Sequence, residues 1–268
     1  MTIAHTLKTA FNITRKSDAP TGVLLYKGPS MLDPTVEIVA IMTLWSKNEK
    51  TAGSSRIYQP QLYILRADDT APQDHVKAGT DAAICGSCPF AGGQGCYVLV
   101  HNAPRSVWAA YRRGRYPVVS NRTLRLLLSP ARYIRLGAYG DPAALPLGVL
   151  ERIEAHKRSD ARTVGYTHQW RDVSPAYARW LMASVETVRG TFEARAAGYR
   201  TFRVRAAEEP TLKGEIVCPA SHEGGQRRTC ETCRACDGVA RGVKRASVAI
   251  IAHGARARKA LNAARARA

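Results

Sequence analysis

The residues best equipped for chemistry in this 268-residue sequence are its seven cysteines, and they fall into two groups. Cys85, Cys88 and Cys96 form C-x2-C-x7-C within ICGSCPFAGGQGCYV. Cys218, Cys230, Cys233 and Cys236 lie within VCPASHEGGQRRTCETCRACDG, the last three as C-x2-C-x2-C. No cysteine stands apart as an isolated core residue. Thiolates bind zinc tetrahedrally or hold iron–sulfur clusters. In a reducing cytosol, clustered cysteines serve as metal ligands more often than as disulfides.

The second group is a complete set of four. Three thiolates at that pitch wrap one compact cluster, and Cys218, followed by Pro219, is the natural fourth ligand. The spacing is like that of ferredoxin-type runs, with the Cys-Pro placed before the triplet. Zinc is the alternative, and disulfides or free thiols are a third. The first group is a set of three. Three protein ligands on a [4Fe–4S] cluster leave one iron open to a substrate or cofactor. Its alternatives are a zinc completed by His101, or a shared site that borrows a cysteine from the second group. Gly86, Gly92, Gly93 and Gly95 give this loop the tight backbone turns that bring amides toward a cluster.

Three further residues fall at the expected ends of strands. Asp141, in GAYGDP, is a site acid or an ordinary Gly-Asp-Pro turn. His168, in GYTHQW, is a proton donor, a substrate contact or a hydrogen-bonding loop residue. Glu186, after LMASV, faces the same mouth or is a solvated acid. Ser221, in CPAS, caps a turn or bonds a cluster sulfur.

The net charge is +19, from 40 Lys and Arg against 21 Asp and Glu. Such an excess attracts polyanions, and DNA or RNA is the leading partner. Basic solubility, an Arg-rich coding bias, and an acidic protein or membrane surface are the alternatives. Trp108, Tyr111, Arg112, Arg113, Arg115 and Tyr116 mix aromatics with cations, as base stacking and phosphate contact require. Trp108 also fits a core position. The tail HGARARKALNAARARA has no acid and carries Arg256, Arg258, Lys259, Arg265 and Arg267. It is a frayed end, or a helix or arm on nucleic-acid phosphate. No apolar run approaches the roughly 20 residues that span a bilayer. The first residues lack a signal-peptide pattern, so the expected location is the cytoplasm. There is no Walker A, GxGxxG, nucleophile elbow, HExxH or EF-hand pattern, which removes the main support for kinase, NTPase and common hydrolase activities.

The elements that must position these groups read as α/β. Residues 1–30 form an irregular lead-in. Val36 to Trp45 and Ile57 to Leu65 are strands, the latter despite Pro60, with a polar loop from Ser46 to Ser55 between them. Helices are expected over Val107–Arg113 and Asn121–Leu128. Strands at Arg132–Leu136, Ala161–Tyr166, Leu181–Val185 and Arg200–Val204 then alternate with helices at Leu147–His156, Pro175–Trp180 and Thr191–Ala197. Ser247–Ala252 is a closing strand. The alternation predicts parallel βα units in a partial barrel. Sites in such folds lie at the carboxyl ends of strands, where both cysteine loops are expected. Four regions follow: an irregular or β lead-in over 1–55, a barrel over 56–215, a cysteine-rich cap over 216–252 and a basic tail over 253–268.

This layout resembles a divergent radical S-adenosylmethionine (SAM) architecture. That family has a partial βα barrel, a three-cysteine cluster after the first strand and a GGE-type motif after the second. Here the triad Cys85, Cys88 and Cys96 is followed by Tyr97, and a strand ends in Tyr139-Gly140-Asp141-Pro142. The family's usual C-x3-C-x2-C is C-x2-C-x7-C here, Tyr139 stands for the first glycine, and the acid is Asp. The resemblance implies that the open iron takes the SAM amino and carboxylate groups and that Gly140 and Asp141 hold the amino group. It also implies an auxiliary cluster on Cys218, Cys230, Cys233 and Cys236. The cysteine layout is similar, too, to uncharacterised cysteine-rich proteins of bacteriophages, which implies a phage-encoded protein in the host cytoplasm. The expected function is a radical-SAM-like iron–sulfur protein that acts on or binds nucleic acid. The alternatives are a non-enzymatic nucleic-acid-binding protein with structural metal sites, and a zinc-dependent βα-barrel enzyme.

Overall fold

The computed structural model describes residues 2–46, 57–92, 95–96, 98–240, 245–253 and 257–266. The expected loop at Ser46–Ser55 lies outside them except for Ser46, as do Gly93, Tyr97, Arg256 and Arg267. The elements in chain order are helix α1 (Ile3–Phe11), strands β1 (Gly22–Pro29), β2 (Glu37–Ser46) and β3 (Ile57–Arg66), and helices α2 (Pro72–Ala78), α3 (Ala82–Cys85), α4 (Ala103–Arg112) and α5 (Asn121–Leu128). Then come β4 (Tyr133–Tyr139), α6 (Leu147–His156), β5 (Arg162–Val164), β6 (Tyr166–Thr167), β7 (Met182–Val185), α7 (Val188–Ala196), β8 (Thr201–Arg205), β9 (Glu215–Val217), α8 (Cys230–Cys233), β10 (Ser247–Ile251) and α9 (Ala257–Arg265).

The chain is mixed α/β with two five-stranded sheets, ordered β1-β2-β3-β4-β5 and β6-β7-β8-β10-β9. In the first, β1, β2 and β3 are antiparallel neighbours, while β3, β4 and β5 run parallel. The second is parallel throughout. Only Gly165 separates β5 from β6, and its carbonyl accepts from Met182 N at 3.0 Å. The chain therefore passes from one sheet to the other in a single step. Pro60 is tolerated in β3 because the register with β2 shifts between Thr43 and Trp45, so the missing amide falls at an irregularity.

Most expected elements form, and α5 and α6 keep their expected bounds. The lead-in is more regular than expected. Thr2 caps α1, whose Leu7 is buried, and β1 follows. The single strand expected at Ala161–Tyr166 is divided at Gly165, and Pro175–Trp180 forms a 3-10 turn, Pro175–Arg179. Helix α2 and strand β9 had no expectation. Their apolar content is too short for a periodicity to register.

The core of the first sheet is continuous and fully buried through Ile38, Ile41, Met42, Leu62, Ile64, Leu65, Leu124, Leu127, Leu136 and Leu150. The second sheet is thinner in aliphatic packing and uses buried ion pairs. Arg203 makes a two-pronged bond to Glu215, Nε to Oε1 at 2.9 Å and Nη2 to Oε2 at 2.8 Å. Arg205 pairs with Glu223. Among the described residues no helix is long and apolar enough to cross a membrane.

Candidate functional site

The first cysteine loop sits on the carboxyl ends of β4, β6 and β7. Cys85 closes the short helix α3, which is fixed from below when Asp141 N donates to Ile84 O at 2.7 Å. Gln169, just past β6, clamps the next turn. Its Nε2 donates to Cys85 O at 3.0 Å, and its Oε1 accepts from Ser87 N and Ser87 Oγ, both at 3.0 Å. Gly86, at φ 53°, is required here. A Cβ would stand 2.2 Å from the Gln169 amide oxygen. The clamp residue carried no expectation, although it lies inside the stretch that supplied His168.

Cys85, Cys88 and Cys96 are electrostatic neighbours, with Asp81 beside them. Burial first, then Asp81 and the other two sulfurs, push the Cys85 thiol well above its ordinary pKa. The Tyr139 hydroxyl lies near Cys85, Cys96 and Asp81, is buried, and has no hydrogen-bond partner among the described residues. A buried hydroxyl without a partner costs roughly 1–3 kcal/mol. A sulfur-rich group held on the three cysteines would give it an acceptor, so the residues fit such a group.

His168 and Glu186 meet at this loop. His168 Nε2 lies 3.0 Å from Glu186 Oε1, and the Cys88 sulfur is an electrostatic neighbour of the imidazole. Burial works against the imidazolium, but the Cys88 sulfur and the Glu186 carboxylate outweigh it and raise the pKa well above its ordinary value. Asp141 is fully engaged. Its Oδ1 accepts from Ala143 N at 2.9 Å, and its Oδ2 accepts from Thr167 Oγ1 at 3.1 Å and His168 N at 2.9 Å. The carboxylate thus ties the end of β4 to the end of β6. Gly140, at φ 78°, passes so close to β3 that a Cβ would lie 2.7 Å from that of Ile64. Ser221 takes its turn role: its hydroxyl donates to Cys218 O at 2.7 Å and accepts from Gly224 N at 3.0 Å.

The second cysteine loop corrects an expectation. Cys218 follows the carboxyl end of β9, but the rest of the loop turns back to the amino ends of the strands. Cys230 is an electrostatic neighbour of Tyr133, the first residue of β4, and Cys236 of Tyr166, the first residue of β6. The cause is Arg200, buried immediately before β8. Its Nη1 donates to Asp237 Oδ1 at 3.0 Å and Gly238 O at 2.9 Å, and its Nη2 donates to Ala235 O at 2.8 Å. Val239 N adds a bond to Ala178 O at 2.8 Å. Cys218, Cys230 and Cys233 are electrostatic neighbours of Cys236, whose thiol is pushed up mainly by burial. Thr229 and Thr232 cap α8 reciprocally and fix the C-x2-C turn.

Between the two loops lies a cavity of about 210 Å³. Cys218, Cys230, Cys233 and Cys236 border one side of it, and Phe90, Gly95 and His168 border another. Its walls are alternate residues of consecutive strands, including Val164, Phe202, Val204, Val248 and Ile250. A second cavity of about 200 Å³ lies beside the first cysteine loop, lined by Ser87, His168, Arg171, Asp172, Glu186 and Thr187 among others. His168 and Ser184 border both. Among the described residues, no three His, Cys, Asp or Glu side chains are disposed to share a single metal ion.

The basic residues separate into different environments. Arg112 pairs with Asp69, and Trp108 Nε1 donates to Asp68 O at 3.2 Å, which fixes α4 to the turn after β3. Arg113 and Arg115 are exposed. Arg258 and Lys259 are exposed on α9, with Arg258 3.6 Å from Glu208. The opposite face of α9 buries Ala260, Leu261 and Ala264. Ala260 borders the larger cavity and packs against Gly95, and Arg265 Nε donates to Glu186 O at 3.0 Å. No family model matches the chain, and no curated protein or solved structure matches it.

Proposed function

We propose that the chain is an iron–sulfur protein built on one open βα barrel, with the two sheets continuous across Gly165. Cys218, Cys230, Cys233 and Cys236 hold a closed, structural or auxiliary cluster. Cys85, Cys88 and Cys96 hold a [4Fe–4S] cluster with one open iron. The observation that carries this reading is the 210 Å³ cavity bordered by all four cysteines of the second set. Four sulfurs bordering a space of that size support a polynuclear group there.

At the first set, an open iron supplies a coordination position for the amino and carboxylate groups of SAM. The chain's own residues do the rest. Gln169 orients the Cys85–Ser87 turn, Asp141 fixes the floor beneath it, and His168 with Glu186 places a polar pair beside Cys88. The polar 200 Å³ cavity against that pair is where we place SAM, which makes the chain radical-SAM-like. Nucleic acid is the proposed partner. It is supported by the absence of any Asp or Glu between Asp81 and Asp141, a stretch that includes the exposed Arg105, Arg113, Arg115, Arg122 and Arg125.

The test is anaerobic purification followed by iron, sulfide and zinc analysis and spectroscopy. Iron and sulfide with broad absorbance near 400 nm, perturbed by added SAM, are expected. Stoichiometric zinc in a colourless protein would refute the proposal. Clusters whose spectrum ignores SAM would leave a non-enzymatic nucleic-acid-binding protein, a reading favoured by the full engagement of Asp141 in internal hydrogen bonds.

A further inference from the structure

Tyr133 and Tyr166 have no role in the reading above, yet they are the hydroxyl groups that meet the second cysteine set. Tyr133 opens β4 and is buried. Tyr166 opens β6, and its ring lies against Phe202 with centroids 4.5 Å apart. The Tyr133 hydroxyl is an electrostatic neighbour of Cys230, and the Tyr166 hydroxyl of Cys236. Both rings line the cavity that the four cysteines border. One strand of each sheet thus presents a phenol beside a different sulfur of one four-cysteine set. A phenol keeps its proton at neutral pH, so toward a thiolate it acts as donor.

We propose that Tyr133 and Tyr166 are positioning residues that set the reduction potential of a cluster held by Cys218, Cys230, Cys233 and Cys236. The proposal rests on the cluster reading above. Reduction adds one negative charge to a cluster, and that charge spreads onto its ligand sulfurs. A hydrogen bond to a ligand sulfur stabilises the reduced form more than the oxidised one and raises the potential. Two such bonds, in a site walled in part by Val204, Val248 and Ile250, act in surroundings less polar than bulk water. Tyr→Phe removes the donor and keeps the ring, so the contact with Phe202 survives.

The experiment uses the full chain carrying Cys85→Ala, Cys88→Ala and Cys96→Ala, so that only the second centre remains. The centre is titrated anaerobically with dithionite, one electron per cluster, and followed by electron paramagnetic resonance. Y133F and Y166F are each expected to move the midpoint to a more negative potential, and the double variant further, with iron per chain unchanged. Y177F is the control, because the Tyr177 hydroxyl donates to Leu145 O at 2.6 Å and leaves the midpoint in place. If the triple-cysteine variant does not fold, the same titration on the otherwise wild-type chain resolves the two centres by their separate signals. Iron bound with an unmoved midpoint in Y133F and Y166F overturns the tyrosine proposal. A parent chain that binds no iron overturns the cluster reading instead.

Discussion

Gln169 and Cys85 are 84 positions apart in sequence and joined by one hydrogen bond, Gln169 Nε2 to Cys85 O at 3.0 Å. With its two bonds to Ser87, this amide makes the shape of the first cysteine loop depend on the end of β6. Gln169 is buried, and its loss takes a partner from Cys85 O, Ser87 N and Ser87 Oγ.

Gln169→Leu should therefore lower stability by about 2–4 kcal/mol, three bonds at roughly 1 kcal/mol each. Denaturant unfolding measures the loss. Iron bound at the first centre should fall more than iron at the second, as judged in chains that lack one cysteine set or the other. Equal losses at both centres would show that the clamp acts on the whole fold.

His168 borders both cavities, and Glu186 lines the smaller one. Replacing His168 by Gln removes the ring that lies beside Cys88 and faces Glu186. Iron content should persist, while the spectral response to SAM weakens by tenfold or more in apparent affinity. A response identical to wild type would remove His168 from the site.

Arg200 is buried with Asp237 and donates to several carbonyls of the second loop. Arg200→Met takes a buried guanidinium partner from Asp237 and should cost about 3–5 kcal/mol, the usual penalty for breaking a buried pair from one side. Asp237→Asn keeps a hydrogen-bonding group in place and should cost less. Limited proteolysis should then cut Arg200→Met first within residues 219–238.

Removal of metal should act on the same segment. Its cysteines border a cavity and pack on only a small apolar cluster, Met182, Ala235 and Val248, so a bound group contributes folding energy there directly. Cluster bleaching by oxidant and chelator should lower the melting temperature and speed cleavage within 219–238, and leave the first sheet's amide protection intact.

Arg113→Glu with Arg115→Glu tests the partner. Binding to double-stranded DNA should weaken, and the slope of log K against log salt should become shallower by about 0.9 for each lost phosphate contact. Arg112→Glu should change the slope less, because Asp69 already neutralises that side chain. The same variants assayed on RNA identify which nucleic acid is preferred.

Local elements were legible because their signals are local. Ser120 and the Leu124, Leu127, Leu128 stripe mark α5, and the apolar run of β2 marks a buried strand. The two cysteine groups were legible as groups. Their placement at opposite ends of the strands was not, because it depends on Arg200, which looks in sequence like one more surface cation. Strand β8 misleads in the same way. In Thr201-Phe202-Arg203-Val204-Arg205, Phe202 and Val204 face the cavity while Arg203 and Arg205 are buried on the other face against Glu215 and Glu223. Period-two alternation was present, but arginine on a buried face reads as solvent-facing unless its carboxylate partners are already known. Tyr133 and Tyr166 carried no signal at all, since tyrosine is ordinary in strands.

The strand order β8-β10-β9 has a consequence for biosynthesis. Among the described residues strand β9 pairs with β10 alone, which is translated later, so Cys218 cannot reach its place when it leaves the ribosome. Cys230, Cys233 and Cys236 also precede β10, and α9, which packs on the first cysteine loop through Ala260 and Gly95, comes later still. All seven sulfurs are therefore synthesised and accessible before the strand and helix that enclose them exist. On the proposed iron–sulfur reading, delivery of iron has an open interval during translation, before β10 and α9 are in place.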